Sequence, residues 1–200
     1  MIRGVLGGSF DPVHNGHVAM ARYVLDHNLV QSLHIVPAYI SPFKTSTSAD
    51  ALQRLNMARL AFLDLPEVVV DNREITRSEP SYTVETLEGL ALEYPDDQLL
   101  LVIGADNVPG LAGWKDPQRI GALATVAVLA RSREEVPDQL SAPPLPPGLR
   151  IQYHDDFDQP VSSSRIRAIL GGAGGDRESL SEFLPPAVAS YIFRNQLYRD

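Results

Sequence analysis

The chain has 200 residues, 44% of them hydrophobic and 21% charged, with a formal net charge of −8 from 17 Lys+Arg against 25 Asp+Glu. These proportions exclude a disordered tail, a collagen-like repeat and a coiled coil, and a surface of this sign repels nucleic acid phosphates. The chain holds no cysteine, which excludes a disulfide framework, zinc–thiolate and iron–sulfur sites and a thiol nucleophile but fits any compartment.

Short apolar runs alternate with helical patterns along the chain. Strands are predicted at 2–6, 33–37, 68–71, 99–103, 125–129 and 150–154, mostly as solid apolar runs of the kind covered on both faces. Helices are predicted at 16–27, 50–65, 82–93, 164–170 and 186–195. In the second of these, Ala51, Leu55, Ala58, Phe62 and Leu65 fall on one helical face. The alternation predicts an α/β fold, a doubly wound and mainly parallel sheet with flanking helices. One domain over 1–200 is expected, with a small helical part from about 163–200. A chain this long buries roughly 70% of its unfolded surface and needs no metal or disulfide to hold a core. Residues 135–150 carry five prolines and read as an exposed loop, and Gly171 to Gly175 reads as a hinge. The longest apolar run, 121–130, has ten residues, against the ~20 of a membrane span. The first residues read as a strand rather than a signal peptide, so a cytoplasmic protein is expected, with no membrane partner.

The densest chemical signal is Gly7-Gly8-Ser9-Phe10-Asp11-Pro12-Val13-His14-Asn15-Gly16-His17, between the first strand and the first helix. Paired glycines let backbone approach a ligand, and a helix start offers N–H groups to an anion. His14 and His17 share one side of a helical turn. The residues alone admit three readings: donors to a phosphate, a tight turn whose histidines cap or pack, and a metal pair. No carboxylate at helical spacing completes a metal set. The dinucleotide fingerprint is absent, because Gly7-Gly8 stands eight residues before Gly16, and this disfavours an oxidoreductase. The second signal is Ser162-Ser163-Ser164-Arg165-Ile166-Arg167, which by itself reads as a helix cap. Asp106 follows the fourth strand, where open α/β sheets bind ligands. Trp114, the only tryptophan, sits in a small polar loop that favours exposure over the core.

Together the two motifs resemble those of the nucleotidyltransferase superfamily of adenylyltransferases, with its His-x-Gly-His and Ser-Ser/Thr-x-Ile-Arg loops. More closely, the chain resembles the bacterial nicotinate mononucleotide adenylyltransferases from Gly7 to Tyr198. The likeness includes Arg54 and Met57, then Glu74, Arg77 and Ser81 to Leu87. It continues through Ile103-Gly104-Ala105-Asp106, Trp114-Lys115, Arg131, Tyr191-Ile192 and Leu197-Tyr198. One departure is plain: Ser41-Pro42-Phe43-Lys44 keeps the lysine of the family's Pro-Pro-His-Lys and puts phenylalanine where the histidine stands.

The resemblance implies adenylyl transfer from ATP to nicotinate mononucleotide, with Mg²⁺ carried by ATP. It implies that His14 and His17 hold ATP phosphates and stabilise the transition state, with Lys44 and Arg167 also at the reacting phosphates. It assigns Gly7, Gly8, Ser9, Phe10, Gly104, Asp106, Ser162, Ser163 and Ile166 to ATP. It assigns Ser9, Lys44, Tyr82, Thr83 and Trp114 to the mononucleotide, with Trp114 stacking on the pyridinium ring. Arg54, Glu74 and Arg77 read equally well as surface ion pairs. Two alternatives stay open: transfer to nicotinamide mononucleotide or both acceptors, and a nucleotide-binding module without activity. The sequence sets no oligomeric state.

Overall fold

The computed structural model describes residues 1–43, 46–130, 145–157, 161–172 and 177–198. Six strands form one sheet: β1 (Ile2–Gly8), β2 (Ser32–Pro37), β3 (Val68–Val70), β4 (Gln98–Gly104), β5 (Ala124–Leu129) and β6 (Ile151–His154). Their order is β3-β2-β1-β4-β5-β6 and every pairing is parallel. This is the doubly wound Rossmann-like order, and the direction of winding reverses between β1 and β4. The helices are α1 (Asn15–Asp26), α2 (Ala51–Ala61), α3 (Arg73–Arg77), α4 (Thr83–Glu93), α5 (Pro117–Leu123), α6 (Ser163–Leu170), α7 (Arg177–Leu180) and α8 (Pro186–Arg194). A 3₁₀ segment, Ala105–Gly113, follows β4. Among the described residues no helix is long and apolar enough to cross a membrane.

Successive residues of a strand point to opposite faces, so a doubly covered strand must be apolar at every position. The central strands do this. Leu6, Ile35, Leu100, Val102, Ala127 and Leu129 join one core. Val5, Val36, Leu101, Ile103, Val126 and Val128 join the other. The first core also takes Leu180, Leu184, Val188, Ile192 and Leu197, so the last helices pack into the sheet's own core.

Four elements differ from expectation. Helix α2 stops at Ala61 rather than 65, with Phe62 as its C-cap, and Pro66 disfavours helical geometry at Leu65. The apolar run 121–130 divides between α5 and β5. The start signal of α5 is in the sequence: Asp116 accepts from the Arg119 N–H at 3.0 Å and Pro117 stands at the first helical position. Helix α3 has five residues, and the 3₁₀ segment carries Pro109 inside it; neither shows a helical period.

The C-terminal ends of β1 and β2 are held by one side chain from α2. Arg54 is 0% exposed. Its Nη1 donates to Ser9 O at 2.7 Å and Ala38 O at 2.6 Å, its Nη2 to Tyr39 O at 2.7 Å, and its Nε to Ala49 O at 3.2 Å. Burial pushes the guanidinium down, and the negative charge of Asp11 holds it up. The surface ion pair considered for Arg54 is therefore replaced by a buried clamp on four carbonyls. Lysine has three donors and no planar fork, so Arg54→Lys leaves at least one carbonyl unmatched. The expected cost is about 2–4 kcal/mol, or a melting temperature lower by roughly 5–15 °C. A thermal melt checks this, and an unchanged midpoint would show that water replaces the lost bonds.

Candidate active site

The loop from β1 to α1 turns sharply. Phe10 adopts φ 48°, a region that L residues with side chains rarely occupy, and its ring is 2% exposed. The ring meets His17 edge-on, with centroids 4.8 Å apart. Asp11, itself buried, fixes the next residue pair. Its carboxylate accepts from the N–H groups of Ser48 at 2.8 Å and Ala49 at 3.0 Å, and from the hydroxyl of Tyr198 at 2.9 Å. Burial and this carboxylate push the Tyr198 hydroxyl far up, so it remains a donor.

His14 sits at the N-cap of α1 and His17 one turn in, with rings stacked 3.7 Å apart. The His14 N–H donates to His17 Nδ1 at 3.2 Å. A neutral His17 therefore carries its proton on Nε2, as a donor. Gly16 permits this pairing: a Cβ there would lie 3.0 Å from His14 Nδ1.

The start of α6 packs onto the same loop. Ser163 Oγ donates to Pro12 O at 3.0 Å, and Arg167 Nη1 donates to Asp11 O at 2.6 Å. Ser162 Oγ accepts from the Arg165 N–H at 3.3 Å and caps the helix. The structure thus brings His14, His17, Phe10, Ser162, Ser163 and Arg167 into one wall. Ile166 is fully buried in the first core, so its side chain does no more than pack.

A cavity of about 330 Å³ opens on the other side of the β1 end. Gly7, Gly8 and Ser9 border it, as do Tyr82, Thr83 and Trp114. The volume suits a small ligand. His14, His17 and Arg167 do not line it, and Ser9 stands where the two halves adjoin. Tyr82 caps α4 without a side-chain hydrogen bond, and the first N–H groups of a helix have no partner inside it. Trp114 is half-buried against the second core and also borders the cavity. Gly104 ends β4, and Asp106 follows it exposed, its Oδ1 accepting from Asn107 Nδ2 at 3.2 Å. Lys44, Arg131 and Gly174 lie outside the described residues.

The cavity also takes in Glu74, Phe43 and Lys115, which the expected site residues did not include. Glu74 was weighed as a surface ion pair but is 6% exposed and borders the cavity. Burial pushes its carboxyl up, against hydrogen bonds from Thr86 and Ser81. Phe43 borders the cavity and is 66% exposed. Lys115 borders it too, 2.6 Å from Glu85. Arg77 does form a surface ion pair, with Glu85 at 3.2 Å.

With this geometry in place, comparisons with known proteins give a consistent result. Residues 5–169 match the cytidylyltransferase-like family. A protein of Nitratiruptor sp. named "Probable nicotinate-nucleotide adenylyltransferase" is 33% identical over 190 residues, covering 95% of this chain and 96% of its own. One of the same name from Chlorobaculum tepidum is 35% identical over 202 residues, covering 99% of each. In fold, the chain resembles the Plasmodium falciparum nicotinic acid mononucleotide adenylyltransferase complexed with NaAD. The TM-score is 0.81 at 18% identity, covering 98% of this chain and 97% of that one. Matched along nearly its whole length by relatives of one name, the chain belongs to the cytidylyltransferase-like family, on its nicotinate-nucleotide adenylyltransferase branch.

Proposed function

We propose that the chain transfers the adenylyl group of ATP to nicotinate mononucleotide, giving nicotinate adenine dinucleotide and pyrophosphate. The observation that carries this is the divided site. A wall of histidine, serine and arginine donors adjoins, at Ser9, a cavity bordered by a helix start and the only tryptophan. Donors of the first kind suit a triphosphate, and the second set suits a flat ring bearing a carboxylate.

The acceptor's 5′-phosphate oxygen attacks the α-phosphorus of ATP. The new P–O bond forms as the bond to the α,β-bridging oxygen breaks, and pyrophosphate leaves with the electron pair. The attacking group is already an anion, so no protein base is needed. Catalysis rests on placement and on donors aimed at developing charge. In this reading His14 and His17 serve the α- and β-phosphates, with His17 Nε2–H as a donor. Ser162, Ser163 and Arg167 receive the departing pyrophosphate, and Lys44 meets a phosphate. Gly104 and Asp106 flank the adenosine. Tyr82 and Thr83 offer backbone N–H groups to the carboxylate, and Trp114 stacks on the ring. Mg²⁺ carried by ATP would be held mainly by phosphate oxygens and water and would offset the phosphate charge.

His17→Ala should lower turnover by about two to three orders of magnitude, the scale of losing one transition-state donor, while the chain still folds, with a melting temperature a few degrees lower for the lost helix cap. Pyrophosphate release measures this, and a variant keeping more than half the wild-type turnover ends the role given to His17. The acceptor preference is the wider test. An amide turns its own N–H₂ toward a helix-start donor and leaves it unpaired, at ~1–3 kcal/mol for each buried donor. One such donor, together with the negative charge lost beside the helix start, gives a preference of about a hundredfold for the acid over nicotinamide mononucleotide in kcat/KM. Product masses from an acceptor panel read it directly. Equal efficiency with both acceptors would make the enzyme dual in specificity.

A further inference from the structure

Trp114 stands at a joint. Before it runs the 3₁₀ segment, whose hydrogen bonds are poorer than those of an α-helix. After it comes Asp116, in a left-handed conformation at φ 45°. Between them, Lys115 reaches across to the first turn of α4. Its Nζ lies 2.6 Å from Glu85 Oε1 and 4.3 Å from the centre of the Tyr82 ring. The other oxygen of Glu85 takes Arg77 Nη1 at 3.2 Å. One turn further along α4, Glu88 accepts from Arg119 Nε at 2.9 Å. The joint that carries the tryptophan is thus tied to the helix whose first residues, Tyr82 and Thr83, border the same cavity.

We propose that the Lys115–Glu85 pair is a latch that sets the distance between Trp114 and the start of α4, and that Glu85 is a positioning residue for the acceptor. This rests on the assignment of the cavity to the mononucleotide. A flat ring held on the indole and a carboxylate held on the helix start need both surfaces at one fixed spacing. The latch supplies that spacing from the cavity's edge, where Lys115 borders it and Glu85 stands behind. The phosphate wall of α1 and α6 has no residue in it. The latch therefore acts on acceptor affinity and leaves ATP alone. Its residues are partly exposed, with side-chain exposures of 51% for Lys115 and 34% for Glu85. An exposed pair is worth little, so the effect is about fivefold rather than a hundredfold.

Trp114 is the only tryptophan, so intrinsic fluorescence reports the joint itself. Nicotinate mononucleotide is titrated into the wild-type protein, Glu85→Gln, Lys115→Met and the double variant. Quenching gives Kd, and steady-state kinetics give both KM values. The latch predicts a Kd about fivefold weaker in each single variant, no further loss in the double, and an unchanged KM for ATP and melting temperature. Glu85→Gln has a decisive sign. If Lys115 instead met the anionic acceptor directly, releasing it from Glu85 would tighten binding. Tighter or unchanged binding in Glu85→Gln overturns the latch while the acceptor assignment stands. Absence of quenching and of product in the wild-type protein overturns the acceptor assignment and the latch with it.

Discussion

A single buried guanidinium sets the floor of the site. Where parallel strands end, their last carbonyls leave the ladder and must find donors or water. At the ends of β1 and β2 the donors come from Arg54, whose bonds reach Ser9, Ala38, Tyr39 and Ala49. Guanidinium suits this task because it offers five N–H groups in one plane and accepts none. A charge buried without bonds would cost far more than it returned, but here all three nitrogens donate. The carbonyl of Ser9 is fixed in this way at the point where the two halves of the site adjoin.

Asp11 extends the same logic to the histidine loop. Its carboxylate and carbonyl gather donors from four residues in three parts of the chain: Ser48 and Ala49, Arg167, and Tyr198. The last of these is 187 residues away. Such contacts hold Phe10 in its unfavourable backbone region and set the direction in which α1 begins. A positive group stands against the loop all the same: Arg167 Nη1 donates to Asp11 O at 2.6 Å, although the net charge of the chain is −8.

These contacts also explain what could be read from the chain alone. The six strands were legible because apolar residues on consecutive positions can only serve two covered faces, as Val5 and Leu6 do. The histidine and serine motifs were legible because their chemistry is local to a loop or a turn. Arg54 and Glu74 were not, since their polarity suggests a surface while their partners come from other elements. The Asp11–Tyr198 bond has no local signature at all. Helix α5 had one, Asp116-Pro117, but the apolar run beginning at Gly121 masked the boundary that follows.

The two halves of the site are built from different materials, and this bears on how they respond to substitution. The histidine side depends on buried polar groups: Asp11 and His14 are 4% and 6% exposed, and Arg54 is wholly enclosed. Removing one member of such a set strands the rest, so few changes are tolerated there. The cavity side sets one buried carboxyl, Glu74, beside a 3₁₀ segment and partly exposed ion pairs that are each worth little alone. Changes to the exposed pairs shift affinity without unfolding the chain. Phe43, where the family carries a histidine, falls on this second side, with two-thirds of its surface open to solvent. Its ring borders the cavity without being packed into either core, so neither core constrains the residue at this position.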